Sequence, residues 1–473
     1  MAELMLANPP SGTPLWWLVR LEKKLRDRQR EMQTFDDYYR GKHPLGFAGE
    51  KFLKAFGGRF AAFADNWCDL PVDAVRERLK PVGFRFGEDP KGDGDAWRIW
   101  QDNQLDADSQ LAHTEALVKT EASAIVWIGA DDRPEITIED PMQVIVECEP
   151  GRRRRRAAAL KMWKDDWEGR TLATLYLPDG IYKFRSAMRQ EWTTSGSRSR
   201  WVRRDVDGED WPLPNPLGVV PVVPLLNRPR LTGQGDSEIR RVIPIQNAVN
   251  KLVADMMVAS EYQAFRQRWL TGHEIPVDPE TNQPVEEFKA AVDRIFVAEE
   301  TDARFGEFGV ADLANFVKGI EMLVQHIASQ TRTPPHYFAL SGQFPSGESI
   351  KSAETGLVAK AREKMTHFGE GWEEILRLAF AVLDDPRADQ LDAETIWADP
   401  ESRSEAEHVD ATLKKKALNV PDQQLWEDLG YSPQQIARFE AMSARQLMRT
   451  ALFSGIPTLP PAPLALPPAP PAA

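Results

Sequence analysis

At 473 residues, 42% of them hydrophobic, the chain has material for two or more domains or one long elaborated subunit, and general disorder is excluded. Its 72 acidic residues outnumber 59 basic ones, and the formal net charge of −13 opposes tight wrapping around nucleic acid, though not passing contact. Two cysteines, Cys68 and Cys148, are too few for a disulfide scaffold and match no zinc spacing, so a reducing compartment is expected.

No signal-peptide pattern opens the chain, and no run approaches the roughly 18 apolar residues of a membrane span, so we read a soluble intracellular protein. Leu15, Leu18, Leu21 and Leu25 recur at helical spacing and predict a helix over residues 15–40. A second helical pattern covers about residues 48–79, with a break expected near Pro71. Residues 81–95 read as strand and then turn-rich loop, and residues 96–120 as helix.

The period then changes to two. Strands are predicted at 122–130, 133–141, 142–150, 157–166, 171–180 and 181–187, forming one mostly antiparallel sheet with Pro178, Asp179 and Gly180 as a hairpin turn. Five consecutive arginines, Arg152, Arg153, Arg154, Arg155 and Arg156, begin at the bend after Glu149 and lead into a strand. The proline-punctuated apolar segment 217–229 reads as an edge strand.

Helices return from residue 236 to about 268. Val242, Ile245, Val249, Leu252, Met256 and Ala259 step by 3, 4, 3, 4, 3, a heptad seam, and Pro244 marks a break or restart near its beginning. Residues 273–308 form a compact insert of strand, short helix and strand. A second seam, Leu313, Phe316, Ile320, Leu323 and Ile327, steps by 3, 4, 3, 4 until Pro334 and Pro335 end its helix. A loop of small residues at 339–349 precedes a very long helix, about 349–383, with Leu357, Ala361, Met365, Phe368, Trp372, Ile375 and Leu376 on its apolar side. Near the C-terminus Gly430 stops one helix, and Ser432, Pro433 and Gln435 make a capping box for the next. The tail 456–473 is Pro/Ala-rich and expected to be extended.

Chemistry is hard to find in these residues. There is no Walker loop and no HExxH. The sequence GDSEI at 235–239 starts like a nucleophile elbow, but Ile239 stands where a glycine is required, and Ser237 reads as a helix cap. None of the seven histidines pairs at i, i+4, and His326 reads as packed or hydrogen-bonded. We expect no catalytic residue, no metal and no cofactor.

Three stretches together resemble a known family: NWCDLPVDAVRERLKPVGFRF (66–86), the segment from PNPLGVVPVVPLLNRP to EYQAFRQRW (214–269), and ASQTRTPPHYFALSGQFPSGESIKSAETGLVAKAREKMTHFGEGWEEIL (328–376). They are similar to portal proteins of tailed bacteriophages, in the siphovirus-like branch, over most of residues 15–445. The arginine run and the tail lie outside the resemblance. It implies an α+β, mainly α, portal fold: an N-terminal arm and wing over 1–235, a first stem helix over 236–272, a clip over 273–308 and a second stem helix over 309–333. A channel loop would follow over 334–349, a long wing helix over 350–399, a crown over 400–455 and the tail over 456–473.

The same resemblance implies a ring, usually of twelve copies, at one capsid vertex, acting as a channel for double-stranded DNA in packaging and ejection. The terminase large subunit, a head–tail adaptor and the major capsid or scaffold protein would be its partners. It would sit in the virion and, during assembly, in the host cytoplasm. The ten seam residues from Val242 to Met256 and Leu313 to Ile327 would be stem packing. Gly342, Gln343, Phe344, Pro345, Ser346 and Lys351 would meet DNA at the channel loop, unless 339–349 is an ordinary connection. Lys251 and Lys318 would face the lumen or pair with a neighbour. The arginine run would be a solvated hairpin or ion-paired subunit edge, or else a contact with capsid protein, scaffold or DNA. An alternative is another ring-forming virion assembly or connector protein without a DNA-translocation role.

Overall fold

The structure, a computed structural model, describes residues 9–44, 50, 54, 65–87, 92–129, 131–187, 201–264, 268–272, 279, 302–307, 312–338, 347–401 and 405–454. Helix α1 (Pro14–Tyr39) starts where Thr13 accepts from the Trp16 amide, with Pro14 in its first turn. Helix α2 (Leu70–Arg76) begins where a break was expected. Pro71 lies in its first turn, where a missing N–H costs nothing, and Asp69 caps it. Strand β1 (Pro81–Arg85) follows. The single helix predicted over 96–120 is two, α3 (Gly94–Asp102) and α4 (Leu105–Lys119), divided at Gln104 with φ of +56°.

Strands β2 (Glu121–Ile128), β3 (Pro134–Glu139), β4 (Val144–Glu149), β5 (Arg152–Asp165), β6 (Arg170–Tyr176), β7 (Gly180–Ser186), β8 (Trp201–Arg203), β9 (Leu213–Pro214) and β10 (Val222–Leu226) come next. They form two antiparallel sheets, not one. One has the order β10-β2-β3, and the other β4-β5-β6-β7-β8 with β9 added on β7. The division falls between β3 and β4, where the Asp140 carboxylate accepts from the Met142 amide and turns the chain. Among the described residues β10 pairs only with β2, so Pro224 sits on an edge, where its missing N–H leaves no ladder bond unmade.

Helix α5 (Ile243–Ala264) is shorter than the predicted 236–268. Pro244 lies in its first turn, residues 238–242 form bends and turns, and Ser237 Oγ accepts from the Ile239 amide, so Ser237 does not cap α5. A ribbon of β11 (Arg268–Thr271) and β12 (Arg304–Glu307) follows. Helix α6 (Leu313–Thr331) ends at Arg332 in the left-handed region, before a short 3₁₀ turn over Pro335–Phe338. Then come α7 (Gly347–Val382), β13 (Glu394–Trp397) paired to β1, α8 (Glu405–Ala417), α9 (Asp422–Asp428) and α10 (Pro433–Ser454). Before α10, Ser432 Oγ accepts from the Gln435 amide at 3.3 Å while Gln435 Oε1 accepts from the Ser432 amide at 2.9 Å, the reciprocal box read from sequence. Among the described residues no helix is long and apolar enough to cross a membrane.

The larger core joins the end of α1, helices α2 to α7 and the three-stranded sheet. The smaller places Leu15, Leu18, Leu21 and Leu25 of α1 on Ile145, Leu160, Leu175 and Phe184 of the other sheet. Each such aliphatic side chain contributes about 1.5–3 kcal/mol. His113 lies wholly buried in the larger core, stacked on Phe368 at 5.0 Å, and its Nε2 accepts from Trp372 Nε1 at 3.0 Å. Burial pushes its pKa down from 6.5 to about 3. The folded chain therefore refuses a proton that the unfolded chain takes. Stability from this group is complete above pH 6.5 and falls as pH drops toward 3. Unfolding midpoints measured across that window should fall with acid, and His113→Gln should flatten the slope.

Candidate functional site

Helices α5 and α6 pack as an antiparallel hairpin with the β11–β12 ribbon at its far end. The near end is tied to the body by polar side chains. Gln246 Oε1 accepts from the Trp67 amide at 2.8 Å, Asn250 Nδ2 meets His43 Nδ1 at 3.0 Å, and Tyr38 Oη donates to Asn247 at 2.7 Å. Gln246 and Asn250 are one turn apart and buried, so each must satisfy its amide inside the protein.

The seams turn inward. Val242, Val249, Ile320 and Ile327 are buried, and Ile245, Leu252, Met256 and Leu323 pack against the same core. Gly319 of α6 sits beside Leu252 of α5. Leu313 and Phe316, at the start of α6, are half-buried. So the side of each helix with the strongest 3–4 pattern serves largely the hairpin's own core. Periodicity reports a buried face without saying whose atoms bury it. What remains outside is Met257 at 44% exposed, Val317 at 45% and Met322 at 51%. Sequence reading missed these three, which lie off the heptad positions. Lys251 pairs with Asp255 one turn on, and Lys318 is exposed. His326 is exposed rather than packed.

Gly342, Gln343, Phe344, Pro345 and Ser346 lie outside the described residues. Lys351 is exposed in the second turn of α7. The apolar side read for α7 is its buried side throughout. Two lysines on that side escaped notice. Lys360 and Lys364 follow Leu357 and Ala361 by three residues, which was the available signal. Both are almost wholly buried around Glu238: Lys360 Nζ lies 2.7 Å and Lys364 Nζ 3.0 Å from its oxygens, with Arg228 Nε at 3.1 Å. Lys360 also donates to the Thr331 carbonyl at 3.1 Å. One carboxylate thus fastens the approach to α5, the end of α6 and the middle of α7. Burial pushes the Glu238 carboxyl up, but Lys360, Lys364 and Arg228 outweigh it and hold it at about 2.

The arginine run is not uniform. Arg152, Arg153, Arg154 and Arg155 are exposed at the β4–β5 bend, where Arg155 meets Glu149 at 3.0 Å and Arg152 meets it at 3.8 Å. Arg156 instead reaches into the body. Its Nη2 donates to Glu374 of α7 at 2.8 Å and its Nε to the Val220 carbonyl at 3.0 Å. The run therefore touches the long helix through Arg156. Arg156→Ser should cost about 1–3 kcal/mol, because it removes a charge-assisted hydrogen bond and the Val220 carbonyl's donor, although Glu374 keeps Arg377 at 2.8 Å. Arg153→Ser and Arg154→Ser should stay within about 0.5 kcal/mol. Thermal unfolding of the three variants separates them.

Among the described residues no group of His, Cys, Asp and Glu is placed to hold a metal ion. The hairpin is fastened at one end to its own body and leaves Met257, Val317 and Met322 half-exposed on its outer side. The chain belongs to the phage portal protein family, SPP1 Gp6-like, whose model matches residues 78–446. It is similar to the portal proteins of Mycobacterium phage D29 and Mycobacterium phage L5, at 32% and 33% identity over 385 residues, covering 77% of this chain and 75% of each relative. A chain in the solved neck of a native GTA particle, computed with C12 symmetry, aligns with a TM-score of 0.40 and 11% identity, over 82% of this chain and 96% of that one.

Proposed function

We propose that twelve copies close a ring at one capsid vertex and that double-stranded DNA passes along its axis in packaging and ejection. In this reading α5 and α6 are the stem, residues 273–308 the clip, 334–349 the channel loop, α7 the long wing helix and 400–455 the crown. Gly342, Gln343, Phe344, Pro345, Ser346 and Lys351 border the duplex. The terminase large subunit, a head–tail adaptor and the capsid or scaffold protein dock on the ring, in the host cytoplasm during assembly and in the virion afterwards. The subunit supplies no catalysis of its own. A net charge of −13 suits a conduit, since phosphate contacts are strong and would hold the cargo.

The observation that carries the reading is the α5–α6 hairpin inside the family match. Its seams are largely covered by its own chain, and Met257, Val317 and Met322 stay exposed for a neighbour. A heterologous contact repeated around an axis closes without any further partner. Native mass of the purified protein should give about 640 kDa, twelve times 53.4 kDa, with a central hole in negative stain. A monodisperse species of one chain's mass would sink the proposal. Val317→Asp with Met322→Asp should leave the subunit folded and shift the mass away from the ring. ATPase and nuclease assays on the isolated protein should read zero.

A further inference from the structure

The two ends of β5 carry opposite chemistry. At one end, Gly151 turns the chain with φ of +76° and Arg152, Arg153, Arg154 and Arg155 project into solvent. Glu149 is the carboxylate they meet, and Arg153 and Arg154 make no ion pair with a described residue. At the other end, Asp165 accepts from the Trp167 amide at 2.9 Å and the Glu168 amide at 3.3 Å. That turn holds Trp167 outward at 99% exposure. Asp165, Asp166 and Glu168 flank Trp167 along the chain. Lys164 meets Asp166 at 3.0 Å, whereas Arg170 spends its guanidinium on the Ser186 and Ala187 carbonyls at 2.8 and 2.9 Å. The tip therefore presents an exposed indole on an acidic turn.

These ends cannot answer each other within one chain. Fourteen residues of strand at about 3.3 Å each set them about 45 Å apart. That is several times the roughly 10 Å over which charges act at ordinary ionic strength. A closed ring with heterologous contacts, by contrast, brings two different patches of the same subunit together at every junction. Arginine and tryptophan are the pair best suited to such a junction, through a cation over the indole face and bidentate pairing to carboxylates.

Resting on the ring reading above, we infer that the Trp167 hairpin of each copy docks on the Arg152–Arg155 bend of the next, through cation–indole contact and arginine–carboxylate pairs. The sites are exposed, so the substitutions that test them spare the core. The full-length chain carrying Cys148→Ser, Trp167→Cys and Arg153→Cys is assembled and oxidised. On a denaturing gel without reductant it should give a ladder of linked copies, and neither single cysteine should. Arg153→Glu with Arg154→Glu, in an otherwise identical chain bearing Trp167→Cys and Arg152→Cys, should lose the ladder. Adding Asp166→Lys and Glu168→Lys should restore it.

Intact rings with no ladder overturn the inference and leave the ring reading standing. So does a dimer formed by Trp167→Cys alone, which would mean like pairing with like. Arginine reversals that leave the ladder unchanged and lower DNA retention in particles would assign the bend to DNA and overturn it equally. Absence of any ring overturns both readings together.

Discussion

Glu238→Gln is expected to cost the subunit about 3–5 kcal/mol of folding stability. Gln keeps the shape and the contact with Asn227 Nδ2 at 3.3 Å, but it withdraws the charge that Lys360 and Lys364 face. Both ammonium groups would then lie buried with Arg228 beside them and no carboxylate between. The converse change is expected to be mild. Lys364→Met removes a cation whose pKa burial pushes below its ordinary value, against the pull of Glu238, while Glu238 keeps Lys360 and Arg228. That variant should be near neutral or more stable.

The pH dependence has a definite sign. Glu238 is held at about 2 when folded and takes a proton at its ordinary value near 4.5 when unfolded. Its contribution is present above 4.5 and lost as pH falls toward 2. Denaturant midpoints of the wild type, Glu238→Gln and Lys364→Met test this. Unfolding of Glu238→Gln at the wild-type midpoint would show that the cluster does not hold α7 to the hairpin.

Trp372→Ala should cost about 3–5 kcal/mol, by removing a fully buried indole at the meeting of α3, α4 and α7. The ring of Trp372 stands edge-on to Trp100 with centroids 4.9 Å apart and touches His113, and none of the three is reachable by solvent to any extent that matters. No neighbour is free to collapse into the gap, because α7 packs there against both helices and the sheet. Trp372→Phe separates volume from polarity. It refills most of the space but leaves His113 Nε2 without its donor, a loss of about 1–3 kcal/mol. Circular dichroism melts of the two variants should rank Ala well below Phe. Equal melts would mean that the hydrogen bond, and not the packing, carries the site.

Much of this architecture is legible in local pattern. The stripe on α7, the leucines of α1 and the Ser432–Gln435 box all sit where spacing puts them, because helix periodicity and capping are decided within a few residues. The strands after residue 121 are legible for the same reason. Their division into two sheets is not. Alternation marks a buried face but carries no record of which strand lies alongside, and Asp140 turns the chain with a residue that reads as an ordinary loop acid.

The candidate site divides in the same way. The order of residues announces two seamed helices, an insert between them, a long helix after them and an arginine cluster in an acidic chain. Folding alone decides that the seams mostly face each other, that Arg156 leaves its four neighbours to pair with Glu374, and that one glutamate gathers two lysines from a helix more than a hundred residues away. The physical reason is range. Backbone propensity and periodicity are properties of neighbouring residues, whereas burial of a seam and pairing of a charge depend on which distant surface closes over them.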